Sequence, residues 1–241
     1  MFFLLICIKL KLIKMKKYIY LLTLMFSLSS FGQEIFWYNV LLEVKPSNTS
    51  IVENLVDEYY SDFDFTENTS MTFSNIALKG QDFKETHVLS FTSSSSESLA
   101  DLRSSLSGNE WDLYIAEIQK HISSARVSSG KSLGIYNQDI DYPIGQAWIF
   151  DVNDASSFVD SFEKLMKSFN FEGYLAIGQI IHGVSDGENM YIYGTYKDLN
   201  TAFNFGPKSE SEAKAFDTFS REVADERYTQ SFTRVLIKKY E

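Results

Sequence analysis

From residue 36 onward the chain switches between two hydrophobic rhythms. Residues 36–45 (FWYNVLLEVK) concentrate aromatic and branched apolar side chains and predict a buried strand, ended by Pro46. Ser47, Asn48 and Thr49 then offer N-caps to a helix whose apolar positions, Ile51, Val52, Leu55, Val56, Tyr59 and Tyr60, recur at helical spacing. Residues 71–79 and 86–92 predict two strands joined as a hairpin through Gly80, Gln81 and Asp82. After the polar run 93–98, a helical pattern covers residues 99–122 and is broken at Gly108 and Asn109. A small polar strand within 125–136 closes this first series.

The same order then starts again. Residues 145–152 (GQAWIFDV) predict a strand, and 155–169 carry Phe158, Phe162, Leu165, Met166 and Phe169 on one helical face. Residues 174–183 and 189–196 predict a second hairpin around Ser185, Asp186 and Gly187, followed by a long helix over 210–225 and a strand over 232–240. Matched landmarks keep a nearly constant offset: Val40 with Ile149, Phe91 with Gly194 and Tyr136 with Tyr240 differ by 109, 103 and 104 positions. The match is one of element order and length rather than of residues, and it predicts a duplicated βαββαβ unit. Residues 33–137 form the first repeat, 138–143 the linker and 144–241 the second repeat.

Residues 1–32 follow a different logic. Lys9, Lys11, Lys14, Lys16 and Lys17, with no acid among them, precede an apolar run from Tyr18 to Leu28 and the small residues Ser29, Ser30 and Gly32. This order predicts a signal peptide cut before Gln33, with Met1 or Met15 as the start. The apolar stretch is too short for the roughly 20 residues that span a bilayer, so no stable membrane anchor is expected after cleavage. The protein is thus expected to be exported, to the periplasm or beyond the cell. Its only cysteine, Cys7, falls in the segment removed, which leaves the mature chain without a disulfide or a thiolate metal site. Losing five lysines takes the formal charge from −10 to −15, which argues against nucleic acid or an anionic membrane as partner.

The βαββαβ order, with a first strand, a central hairpin, a bent second helix and a terminal strand in each half, resembles the dimeric α/β-barrel superfamily. That superfamily includes antibiotic-biosynthesis-type and haem-degrading monooxygenases, stress-responsive barrel proteins and muconolactone isomerases. The resemblance covers residues 35–240 and implies an α+β fold: two ferredoxin-like βαββαβ repeats fused into a pseudo-dimeric α/β barrel within one chain. It also implies a pocket between helices and sheet. Asn39, Trp111 and His121 match in kind the Asn, Trp and His that haem-degrading members use, the last two ten residues apart. By that resemblance Asn39 would orient a ligand, His121 would offer an axial imidazole to haem and Trp111 would crowd the ring. Trp148 on the first strand of the second repeat joins them as a candidate ligand contact.

The remaining motifs exclude more than they suggest. His87, His121 and His182 fall in separate predicted elements, so no metal site is expected. Asp151, Val152, Asn153 and Asp154 start like a calcium loop but lack its glycine and terminal glutamate. No GxSxG, P-loop, dinucleotide fingerprint or HExxH occurs. The expected function is a cofactor-free module that binds a small apolar ligand or a protein partner. The alternative is a cofactor-independent or haem-linked monooxygenase of the barrel type.

Overall fold

A computed structural model describes residues 34–241; the expected signal segment, its cleavage point before Gln33 and Cys7 lie outside that range. The first repeat runs β1 (Phe36–Val44), α1 (Thr49–Tyr60), β2 (Thr69–Lys79), β3 (His87–Ser93), α2 (Ser96–Ser105), α3 (Asn109–Ile118) and β4 (Ile122–Tyr136). The second runs β5 (Ile144–Asp151), α4 (Ala155–Met166), β6 (Leu175–His182), β7 (Met190–Tyr196), α5 (Leu199–Phe203), α6 (Glu210–Glu222) and β8 (Arg227–Tyr240). Each repeat orders its strands in the ferredoxin-like way, β4-β1-β3-β2 and β8-β5-β7-β6.

Two antiparallel seams, β2 with β8 and β4 with β6, join the sheets into one closed eight-stranded barrel. Closure requires the strands to coil, and both seams carry register shifts: Phe73/Ser74 and Ile76/Leu78 on one, Ser129/Gly130 and Ser132/Gly134 on the other. The α+β fused pseudo-dimer is what the duplicated pattern predicts.

The apolar stripes of the helices decide where the outer cores sit. Val52, Val56 and Tyr60 of α1, Leu102 of α2 and Tyr114 and Ile118 of α3 pack on Tyr38, Leu42, Phe73 and Phe91 of the first sheet. Phe158, Phe162 and Leu165 of α4, with Phe216 and Phe219 of α6, pack on Ile177, Met190 and Ile192 of the second. Each large apolar side chain fully buried this way contributes about 1.5–3 kcal/mol. Caps fix the helix starts: Ser95 and Asp154 accept from Ser98 and Ser157 backbone N–H groups. Ser209 and Glu212 form a reciprocal capping box, and Glu212 also accepts from Lys208 and Asn170 N–H, which holds its carboxyl below the ordinary range.

Several local expectations shift. Asn48 does not cap α1; Pro46–Asn48 form a 3-10 turn, and the Asn48 Oδ1 accepts instead from Ser47 Oγ. The helical pattern through Ile122 stops at Ile118, because residues 119–121 turn the chain into β4 through i→i+3 bonds of Lys120 and His121. The closing strands start earlier than predicted, since their polar first residues pair with β1 and β5 of their own repeats rather than fraying. Helix α5, absent from the prediction, starts on an Asp198 cap too short to show a helical period.

His87 is the buried histidine of the outer layers. It is 1% exposed, stacks on Phe73, meets Thr86 Oγ1 at 2.9 Å through Nδ1 and places Nε2 3.6 Å from the Glu53 carboxylate. Burial pushes its pKa below the ordinary 6.5, with Lys79 adding to this, and the partly exposed Glu53 offsets only part of the effect. Between the folded and unfolded values the unfolded chain binds a proton that the folded chain refuses. Stability is therefore complete above pH 6.5 and falls as the pH drops below it. The paired carboxylates Asp57, Asp154, Asp198 and Glu212 have depressed values and lose their contributions only lower, as the pH falls past their unfolded values of 3.8 and 4.5. Urea titrations should show unfolding free energy declining from pH 6.5 to 5 in the native protein and flat across that window in His87→Gln. An equal slope in both would assign the effect elsewhere.

Candidate functional site

Strand alternation sends one set of side chains outward to the helices and the other into the barrel. On β1, Tyr38, Leu42 and Val44 belong to the outer core, while Trp37, Asn39 and Leu41 face inward. On β2 and β3, Met71, Phe73, Leu89 and Phe91 point out, and Ser70, Thr72, Ser74, Ser90 and Thr92 point in. The inward set is small and hydroxyl-bearing, so the two sheets do not fill the space between them. They enclose a cavity of about 500 Å³. Residues 138–143, the connection between repeats, line it at the end where β1 and β5 begin. Val88, Ala147, Phe83 and Phe232 form an apolar cluster within the barrel.

Bulky inward residues are accommodated over glycines on neighbouring strands. A Cβ on Gly130 would lie 2.6 Å from Trp37 and 1.9 Å from the Gln179 carbonyl oxygen, and one on Gly145 would lie 2.0 Å from the Tyr193 hydroxyl. Gly178 makes the same room for Tyr191. The Trp37 Nε1–H donates to the Tyr191 hydroxyl at 3.0 Å, and the two rings meet edge to face at 5.3 Å. Burial pushes the Tyr191 phenol far above its ordinary value of 10, helped by Tyr174 and opposed by the Trp37 bond. The Tyr174 phenol is raised by burial and by Tyr193, with Arg234 opposing. At neutral pH these phenols are hydrogen-bond donors, not bases.

Charge inside the barrel is sparse. Arg126 Nε lies 3.0 Å from a Glu85 carboxylate oxygen, and Lys239 pairs with Asp141 and Glu241. Glu188, buried, accepts from Gln230 Nε2 at 2.5 Å and Thr229 Oγ1 at 3.3 Å. Arg234 differs. Its Nε donates to the Tyr193 hydroxyl at 2.9 Å and its Nη1 to Ser90 Oγ at 2.5 Å, with the guanidinium over the Tyr193 ring at 4.6 Å. All its partners are neutral; among the described residues it makes no salt bridge.

The four residues singled out from the sequence do not converge. Asn39 lines the cavity. Trp111 lies on the opposite side of the sheet, among Tyr59 and Tyr114 at 5.7 and 5.5 Å. His121 follows α3, its Nε2 3.5 Å from Glu117. Trp148 faces the second helix layer, 5.4 Å from Phe205. Asn39, Trp111 and His121 share no cavity, so as placed they do not fit a haem. Where the resemblance implies a pocket, between helices and sheet, the two aromatic cores take up the room instead. Among the described residues no group of three His, Cys, Asp or Glu is arranged to hold a metal ion, and no helix is long and apolar enough to cross a membrane.

Sequence reasoning missed Trp37, Tyr191, Tyr193 and Arg234. Two signals were available. Asn39 and Trp37 share a strand face by parity, and Arg234 is a lone charge inside the apolar run FTRVLI.

No protein-family model and no curated protein matches the chain. Among solved structures, a provisionally named monooxygenase from Fusobacterium nucleatum is similar over 88% of this chain and 95% of its own, with a TM-score of 0.60 and 12% identity. A similarly named protein from Lactobacillus acidophilus gives 87%, 96%, 0.59 and 13%, and an anthrone oxidase-like protein 86%, 93%, 0.57 and 12%. These likenesses show the dimeric α/β-barrel fold.

Proposed function

We propose that this fused dimeric α/β barrel is an exported binding protein that holds a small organic molecule between its two sheets. The observation that carries it is the unfilled interior: about 500 Å³, within the size range of ligand pockets, walled by Trp37, Leu41, Ile149 and Tyr191 with a belt of serine and threonine hydroxyls. A barrel serving only as scaffold gains by filling that space, because voids forfeit packing energy. Export is supported by the basic, apolar and small-residue order of residues 1–32.

A second reading, a cofactor-independent monooxygenase, draws its support from the names of the barrels this chain superposes on. Such an enzyme would turn anthrone and O₂ into anthraquinone and water, with the ligand held in the same interior.

Three measurements separate these readings. Titrating 2-naphthol, 1-octanol and 2-naphthoate while following the indole N–H NMR signals should move the Trp37 resonance saturably with at least one probe and leave Trp111 and Trp148 in place. Thr72→Trp, which fills the cavity, should abolish the shift; no saturable shift with any probe would sink the binding reading. After cell fractionation the protein should be found outside the cytoplasm with its amino terminus at or beside Gln33; protein confined to the cytoplasm refutes export, and an exported chain that keeps Met1 or Met15 refutes cleavage. With anthrone, the binding reading expects oxygen uptake no faster than in protein-free buffer, and uptake blocked by Thr72→Trp would favour the oxygenase.

A further inference from the structure

The charge left over inside the barrel narrows the ligand. A guanidinium carries five N–H donors, and Arg234 commits two, to Tyr193 and Ser90. Both acceptors are neutral hydroxyls, two strands away from β8 on either side, so the side chain lies along the cavity wall. The other cations at the wall are paired with carboxylates, Arg126 with Glu85 and Lys239 with Asp141 and Glu241, while Glu188 is held by the neutral Gln230 and Thr229 and Asp139 is exposed. Arg234 is part-buried, and a cation partly withdrawn from water without a counter-ion is one that proteins pair or use.

We propose that Arg234 is the anchor for an organic monocarboxylate, held with its apolar body against Trp37 and Tyr191. This deepens the binding reading above and rests on it. A planar carboxylate matches the fork of a guanidinium and completes its free donors bidentately. A phosphate dianion fits less well, because the wall offers one unneutralised cation and also carries the Glu188 carboxylate. The surroundings are built around the side chain. Gly145, the β5 partner of Arg234, has no Cβ where the Tyr193 hydroxyl must pass, and that hydroxyl and Ser90 fix the plane of the fork.

Register adds a further argument. In the first repeat Trp37 pairs with Gly130 across β1 and β4; in the second, Gly145 pairs with Arg234 across β5 and β8. These pairs occupy equivalent places in the two repeats, with large and small exchanged. The duplicated frame thus puts Trp37 at this place in one half and Arg234 in the other.

The test is calorimetric titration of the purified protein with benzoate, 2-naphthoate and octanoate, each against its amide. At least one carboxylate should bind roughly 10- to 100-fold tighter than its amide, the range that hydrogen bonds to a charged group provide. Arg234→Gln should remove that preference, lowering affinity for the acid to that for its amide, with the unliganded variant melting no lower than the native protein. Arg234→Lys, which keeps the charge and loses the fork, should retain part of the preference and serves as the deciding variant if the glutamine form does not fold. Equal binding of acids and amides, or a preference untouched by both variants, overturns the carboxylate anchor while the cavity reading stands. Failure of all six probes to bind overturns both.

Discussion

The structure depends on hydrogen bonding across two seams, β2 with β8 and β4 with β6. A four-stranded ferredoxin-like sheet covered by helices on one face has two free edges and one uncovered face. Joining two such sheets edge to edge pairs all four edges at once, and the uncovered faces become an interior instead of a surface. The seams also explain why β4 and β8 are the longest strands of the barrel, since each must span its own sheet and the neighbouring one. Outer helices and linker are consequences. The helices need only cover the outward faces, and the linker needs only to pass from the end of β4 to the start of β5 at the same end of the barrel.

Closure changes what a polar strand face means. In an open sheet, alternation such as Ser70, Thr72 and Ser74 against Met71 and Phe73 reads as one face in the core and one in water. Here the same pattern faces inward, and the hydroxyls line a cavity. The existence, type and order of the strands and of most helices were legible because outer-face periodicity survives in any such fold. What the interior contains was not legible, because period alone cannot distinguish bulk solvent from a wet cavity. The ends of β4 and β8 were obscured for a related reason. Residues such as Ser124 and Arg227 are polar by composition and become strand only through partners in other strands.

The site was legible only by half. Asn39 was reached through a resemblance that also pointed to Trp111 and His121, and the sheet separates it from both. The resemblance transfers topology, which sequence order encodes, but not the side of the sheet on which chemistry sits. Parity on β1 would have brought Trp37 and Leu41 in with Asn39. Tyr191, Tyr193 and Arg234 lie far away in sequence and meet Trp37 and Ser90 only because the barrel closes.

Fusion makes possible an interior that a dimer of identical chains cannot build. In a symmetric dimer an arginine at the place of Arg234 would come with a second across the same cavity, and two unneutralised cations would repel in a medium of low effective dielectric. Tryptophan at the place of Trp37 would likewise be doubled and would meet those arginines across the adjoining strands, where Trp37 needs the glycine it has in Gly130. Covalent duplication releases both constraints: one repeat keeps Trp37 over Gly130, and the other keeps Arg234 beside Gly145. The ligand space then has Trp37 on one side and one cation without a carboxylate partner, Arg234, on the other, a polarity that no two-fold axis allows. The low residue identity between repeats that share one backbone plan follows from that division of roles at the interior positions. The outer faces remain alike in kind, because both must bury helices on aromatic and branched side chains.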